Sequence, residues 1–192
     1  MNSKTTLALV AVALALVALV LLVERPEGSP RVMNVTPYPT TLPAVVALEE
    51  GTVRRLTLTR IADGATVVLV RDDAGDWQVA EPVQGPADAW TLGTVLGTLT
   101  NLQPERRLEP GSIGLSEVGL DPAQVVLEAE LADGSVVRLA MGTENPQGTA
   151  QYAQVEGDAA IYLISRGLYM QAEEMFAEPP LQPTPTPEAP AE

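Results

Sequence analysis

The sequence predicts an α+β protein with an antiparallel β-sheet and one N-terminal transmembrane helix. The sheet is built from two units, each a β-hairpin, a β-strand and an α-helix, and the helices pack on one face of the sheet. Three observations predict this. An uncharged apolar run opens the chain, Ala-Asp-Gly occurs twice between β-branched runs, at residues 62–64 and 132–134, and each hairpin pattern precedes residues with helical apolar spacing. Strands and helices in separate blocks are typical of the α+β class.

The first element is a membrane anchor. Residues 5–23, "TTLALVAVALALVALVLLV", carry no charge, and as a helix they would extend about 28 Å, close to the hydrocarbon thickness of a bilayer. The Ala-Leu-Ala at residues 13–15 lies inside the run rather than after it, so an uncleaved anchor is favoured over a cleaved signal peptide. Lys4 in the tail of residues 1–4 predicts a cytoplasmic N-terminus and an extracytoplasmic domain at the cell membrane.

Proline distribution predicts the limits of the domain. Most of the 17 prolines fall in two flanks, which predict an extended stalk at residues 24–43 and a disordered acidic tail at residues 178–192. The globular domain then covers residues 44–177. Recruitment of a partner by the Pro-rich tail is an alternative to a simply solvated chain end.

The first unit begins with a hairpin. Strand patterns at residues 53–60 and 66–72 flank Asp63-Gly64, a strong turn signal, and a second turn leads into a strand at Trp77. A helix follows, with Pro86 predicted in its first turn and Asp88 near its N-terminus. Its buried stripe has helical spacing and consists of Leu92, Val95, Leu96, Leu99 and Leu102. Gly93 and Gly97 predict close packing of this helix on the sheet.

The second unit follows a connector rich in Pro and Gly at residues 104–122. A hairpin is predicted at residues 124–142, then strands near residues 149–157 and 159–165, and a closing helix at residues 166–177 with Ser165 as its N-cap. The similarity of the two units predicts an internal repeat, about residues 53–103 and 124–177. Chance similarity of two Asp-Gly hairpins is the alternative.

Composition excludes several functions. Net charge is −14, so nucleic acid is not an expected partner. The chain has neither Cys nor His, which rules out disulfides and any Ser-His or Cys-His nucleophile and removes the commonest metal ligand. The acidic turn at residues 72–76 lacks calcium-loop spacing, and Glu128 and Glu130 fit the solvated face of a strand. We therefore expect no catalytic residue, metal or cofactor.

Three aromatic residues are candidates for binding or for structure: Trp77, Trp90 and Tyr152. Trp77 is predicted on a strand and Trp90 in the first turns of the following helix. Large aromatics at such positions most often seal the interface between helix and sheet, which is the preferred interpretation. A platform for stacking carbohydrate or for contacting a partner is the alternative.

The order of these features resembles a known bacterial family. The segments "GDWQVAEPVQGPADAWTLGTVLGTLTNL", "LSEVGLDP" and "VVRLAMGTENPQGTAQYAQVEGDAAIYLI" are similar to the family called domain of unknown function 4340. The resemblance implies a membrane-anchored extracytoplasmic protein, in some members encoded with transporter components. It implies no catalytic residues.

The expected function is therefore that of a non-enzymatic single-span membrane protein. Its extracytoplasmic domain would be an accessory or interaction module in a transport or cell-envelope assembly, with ABC-transporter components among the candidate partners. An envelope-facing domain that binds a ligand, for example a glycan, is the alternative. An enzyme that uses only Asp and Glu is a third and weaker hypothesis.

Overall fold

Nine β-strands and two α-helices make up the fold in the computed structural model, which describes residues 42–46 and 48–183. The strands are β1 Val53–Arg60, β2 Thr66–Arg71, β3 Trp77–Glu81, β4 Gly85–Pro86, β5 Pro104–Leu108, β6 Val125–Leu131, β7 Val136–Glu144, β8 Ala150–Val155 and β9 Ile161–Ser165. The helices are α1 Ala89–Thr100 and α2 Gly167–Ala177, and short 3-10 turns occur at Glu50–Thr52 and Ser116–Val118.

The predicted anchor at residues 5–23, the N-terminal tail and nearly all of the stalk lie outside the described residues. Within those residues, no helix has both the length and the apolar character needed to cross a bilayer.

All strands belong to one antiparallel sheet in the order β4-β3-β2-β1-β6-β7-β8-β9-β5. The first strand of each predicted unit, β1 and β6, pair at the middle of the sheet, with Leu58 opposite Leu127. The two hairpin turns use the same chemistry. Gly64 and Gly134 have φ of 71° and 83°, the left-handed conformation that glycine adopts without strain, and the Asp before each accepts a backbone N–H two residues later. Both predicted hairpins are confirmed.

The two helices pack on the same face of the sheet. Leu92, Leu96 and Leu99 of α1 and Leu168 and Met175 of α2 join one buried cluster. That cluster continues into the inward side chains of the central strands, among them Leu56, Leu58, Leu127, Leu139 and Met141. The prediction of an antiparallel sheet covered by two helices is therefore confirmed.

Helix α1 corrects two details of the sequence interpretation. It begins at Ala89, after Asp88 as N-cap, so Pro86 lies in β4, opposite Gln78, rather than in a helical turn. Gly93 and Gly97 do not mediate close packing, because a Cβ at either position would meet no heavy atom within 4 Å. Both glycines lie away from the buried stripe, roughly 100° and 140° around the helix from Leu92 at about 3.6 residues per turn.

The start of α2 also differs slightly from the prediction. The N-cap position is Arg166, and Ser165 ends β9. The Ser165 hydroxyl nevertheless accepts a hydrogen bond from the Gly167 backbone N–H at 3.3 Å, so it still satisfies a free amide at the helix start.

The predicted connector at residues 104–122 contains a strand. β5 pairs with β9 at the outer edge of the sheet, where a proline and charged side chains are tolerated because one side of an edge strand makes no ladder hydrogen bonds. The rest of the connector covers the sheet face opposite the helices, where Val118, Leu120 and Ile161 form a second buried cluster.

The chain after α2 remains part of the domain, so the predicted boundary at residue 177 is too early. The backbone N–H of Asp88 donates to the Pro180 carbonyl at 2.8 Å, and that of Gln182 donates to the Pro86 carbonyl at 2.9 Å. Residues 178–183, here called the C-terminal segment, thus extend the β4 edge through a bridge between Ala87 and Leu181. β5, which follows α1, thus closes the outer edge of the second unit at β9. The C-terminal segment, which follows α2, closes the outer edge of the first unit at β4.

Candidate interaction groove

The three predicted aromatic residues do not form one site. Trp77 is partly buried against the main cluster, with the Arg71 guanidinium 5.9 Å from the centre of its ring. Tyr152 is partly buried against the second cluster, on the opposite face of the sheet. These surroundings agree with the structural interpretation of Trp77 and place Tyr152 in a packing position as well.

Trp90 departs from the prediction that it seals the interface between helix and sheet, because 79% of its surface is exposed. The reason is the position of Trp90 on the helix. Trp90 precedes Leu92 by two residues and so lies roughly 160° around the axis from it, at about 3.6 residues per turn. The buried stripe faces the sheet, and Trp90 therefore faces solvent.

Trp90 stands at the rim of a groove of about 510 Å³ between α1, α2 and the C-terminal segment. Val95 and Met175, both buried, form part of its apolar lining together with Leu181. The helices are also joined by a side-chain hydrogen bond, from Gln171 Nε2 to Thr98 Oγ1 at 3.4 Å. The groove is thus an apolar depression with a large exposed aromatic ring on one side.

Carboxylates line this groove, and no Lys or Arg side chain does so among the described residues. Asp88 accepts hydrogen bonds from the Thr91 hydroxyl at 2.6 Å and from the Thr91 N–H at 2.9 Å. These bonds, the hydroxyl first, hold the pKa of Asp88 below its usual value, because they favour the ionised form. Asp88 is therefore negatively charged at neutral pH.

Glu174 and Glu178 add negative charge where α2 ends. Both are exposed, and within residues 42–46 and 48–183 neither has a cationic group within 4 Å. Their neighbour Glu173 differs, since its carboxylate pairs with Arg60 at 3.0 Å. The C-terminus of a helix carries a partial negative charge, and like charges four residues apart repel. The groove is accordingly a site of uncompensated negative potential.

A second depression, of about 490 Å³, lies beside Arg138 and Asp158. Its charges are already paired: Arg138 binds the carboxylates of Glu128 at 2.6 Å and Glu156 at 2.9 Å. Asp158 accepts from the Tyr162 hydroxyl at 2.6 Å, and that bond, aided by the Ala160 N–H and by Arg107, lowers the pKa of Asp158. These contacts connect neighbouring parts of the sheet, and they leave few unpaired charged groups to bind a ligand.

The remaining acidic candidates have structural partners. Glu130 lies 3.6 Å from Arg55 across the β1–β6 pair, which agrees with the predicted solvated face. Asp72 accepts backbone N–H groups from Ala74 and Asp76 and so shapes a turn. No group of three or more Asp or Glu side chains is placed to hold a metal ion within the described ranges.

Sequence reasoning missed the groove because its parts are far apart in the chain. Thr94 belongs to α1, Glu174 to α2, and Leu181 to a segment predicted to be disordered. One available signal was an excess of carboxylates at the end of the closing helix, where Lys or Arg would normally complement the dipole.

The family model described as "Domain of unknown function (DUF4340)" matches residues 77–185, more than half of the chain, and confirms the resemblance drawn from the sequence. The matched residues include every residue that lines the groove. Comparisons with curated proteins and with solved structures found no match.

Proposed function

We infer the function from the premise that the chain belongs to the family described as domain of unknown function (DUF4340). We propose that it is a non-enzymatic single-span membrane protein. Its extracytoplasmic domain is an accessory or interaction module in a bacterial transport or cell-envelope assembly. Residues 5–23 anchor it with the N-terminus in the cytoplasm.

The exposure of Trp90 carries this proposal. A tryptophan can bury on the order of 150 to 250 Å² of surface, yet 79% of Trp90 is exposed beside an apolar groove. Aromatic residues are enriched at protein contacts, where a partner supplies the missing burial. The groove is therefore the surface that we propose for partner binding.

The chemistry of the groove supports binding rather than catalysis. Its ionisable groups are the carboxylates of Asp88, Glu174 and Glu178, and Asp88 is engaged in capping α1. General acid and base work requires a group whose pKa lies near the working pH. The lowered pKa of Asp88 moves it away from that range.

Membrane proteins of the same assembly, ABC-transporter components among them, are the partner class that we propose. The resemblance to the family suggests this class, and a chain with a net charge of −14 would be repelled by anionic lipid headgroups rather than bind them.

The two-unit architecture is also a proposal. From the β1–β6 pair outward, β1 to β4 on one side and β6 to β9 on the other follow chain order, and the segment after each unit closes the outer edge of the other. This arrangement favours duplication of one unit, about residues 53–103 and 124–177. Superposition of β1–β3 on β6–β8 should place α1 near α2, and a clear mismatch of the helices would remove the argument.

Site-specific photocross-linking in intact cells tests the proposed function. A photoreactive amino acid replaces Thr94, which is exposed in the groove, or Val136, a control that is 53% exposed in a distant hairpin. We expect a reproducible membrane-protein adduct from position 94 and not from position 136, and its yield should fall in the Trp90→Ala background. Equal adducts from both positions would show that the groove is not a specific contact site.

Binding of a glycan or other envelope ligand is the second candidate function. It is favoured by the same exposed indole ring, whose apolar face can stack on a sugar while polar groups such as Thr94 and Gln171 offer hydrogen bonds. An oligosaccharide array with the purified chain tests it. Binding that Trp90→Ala abolishes, with no groove cross-link to protein, would favour this function over the first.

A further inference from the structure

We propose that the groove between α1 and α2 binds a cationic segment of a partner protein, one that presents Arg or Lys together with aliphatic residues. This inference rests on the proposed function and names the chemistry of the partner.

Charge complementarity selects the partner. Three carboxylates line the groove and no cationic side chain does so in the described part of the chain. Glu174 and Glu178 also lie where the dipole of α2 is negative. Lys or Arg at these positions would stabilise the helix of an isolated domain. Glu174 and Glu178 do not provide that stabilisation, but they favour the binding of a cation.

Trp90 and the floor of the groove fit the same partner. An exposed indole face attracts a guanidinium or ammonium group through a cation–π interaction. The side chains of Arg and Lys lay their apolar stems along apolar surface while the charged group stays near water. Val95, Met175 and Leu181 provide that surface, and Trp90 with the carboxylates provides the sites for the charge.

The nine residues that follow the groove in the chain are a poor occupant. Residues 184–192 follow directly from Pro183 at the groove, but their sequence, "TPTPEAPAE", contains two glutamates and no Lys or Arg. Like charges across a contact disfavour binding, so an external cationic segment complements the groove better.

The test uses the full chain in nanodiscs of zwitterionic lipid and a random dodecapeptide display library as the probe. Peptides retained by the wild-type chain but not by Trp90→Ala are sequenced. We expect them to be enriched in Arg and Lys and depleted in Asp and Glu. An enriched set without excess positive charge, or no enriched set, overturns the inference.

An enriched peptide is then titrated into chain labelled with fluorotryptophan, whose two signals report Trp77 and Trp90 separately. We expect the Trp90 signal to shift saturably and Kd to rise with salt. Glu174→Gln/Glu178→Gln should weaken binding about threefold to tenfold, the range for two exposed ion pairs. The charge-matched control Glu49→Gln/Glu105→Gln should bind as wild type. Equal Kd values for both double variants contradict the inference.

Two other occupants give different results, and either one overturns the proposal. If a chain ending at Pro183 binds the peptide much more tightly than the full chain does, residues 184–192 compete for the groove. If the Trp90 signal shifts with protein concentration alone, a second copy occupies the groove.

This inference and the proposed function can fail separately. If position 94 cross-links to a membrane protein but the enriched peptides are neutral or acidic, the groove is a contact surface without a preference for cations. The proposed function would then stand and this inference would be refuted. Absence of both cross-links and peptides would refute both.

Discussion

The two tryptophans provide the sharpest test of the packing, because the same substitution should have very different effects. Trp77 is packed against the main cluster, and Trp90 is 79% exposed. Replacing each with Ala in turn removes the same atoms from two environments. The difference in the free energy of unfolding then measures burial rather than residue type.

The magnitudes follow from the covered area. With roughly 130 to 180 Å² of Trp77 covered, at about 25 cal/mol per Å², Trp77→Ala should lower the free energy of unfolding by about 3 to 4.5 kcal/mol. Only about a fifth of Trp90 is covered, which corresponds to about 1 kcal/mol. Because Ala is a better helix former than Trp by about half a kcal/mol, the net effect of Trp90→Ala should be smaller still.

The assay is urea unfolding of the detergent-solubilised full chain, followed by far-UV circular dichroism so that neither variant loses its probe. A loss above about 2 kcal/mol for Trp90→Ala would mean that the ring is buried, and the groove would lose its exposed aromatic. A loss below about 1 kcal/mol for Trp77→Ala would mean that its packing contributes little.

Three further predictions use the same unfolding assay. Gly93→Ala should raise the free energy of unfolding by about 0.5 to 1 kcal/mol, because the new methyl meets no atom within 4 Å and Ala favours the helix. A decrease in the free energy of unfolding would mean that the methyl group clashes with a neighbour. Gly142→Ala should lower the free energy of unfolding by about 1 to 3 kcal/mol or more, since the new Cβ would clash with the Val118 carbonyl oxygen. A neutral result would mean that the connector moves freely. The Thr91 hydrogen bonds lower the pKa of Asp88 in the folded state. The contribution of Asp88 to the free energy of unfolding should therefore be complete above its unfolded pKa of about 4 and should be lost as pH falls through the lower folded value. Asp88→Ala should therefore be less stable than wild type at neutral pH and lose less stability on acidification, and an unchanged pH profile would contradict this role.

Local chemistry explains which elements could be predicted from the sequence. Asp63-Gly64 and Asp133-Gly134 determine their turns through an Asp carboxylate and a glycine in the left-handed region. Both signals lie within the turn itself, so distant parts of the chain do not alter them. The apolar spacing of Leu92, Val95, Leu96 and Leu99 likewise fixed the buried side of α1.

The exposure of Trp90 could have been predicted from the local helical pattern. Shifting the start of a helix by one residue leaves each side chain at the same angle to the buried stripe. The predicted position in the first turns was therefore compatible with the exposed face from the outset. The prediction relied on the general tendency of large aromatic residues to be buried between helix and sheet. The angle between Trp90 and Leu92 was the better guide.

Edge strands were missed for a different reason. β5 begins with Pro104 and contains Arg106 and Arg107, features that lower strand propensity yet suit an outer edge. Leu181 lies among prolines, and its pairing with Ala87 depends on the distant end of another strand. Because the groove is built from α1, α2 and this segment, it could not be assembled from local signals.

The reciprocal closure of the sheet edges has a consequence for biosynthesis. Residues 180–182 complete the edge at Pro86–Asp88, although nearly a hundred residues separate them in the chain. The part of the sheet that leaves the ribosome early is thus completed by residues that leave it much later. Until then its backbone N–H and C=O groups are open to pairing with other strands, so a chain that stops before Pro180 should aggregate more readily than one that includes it.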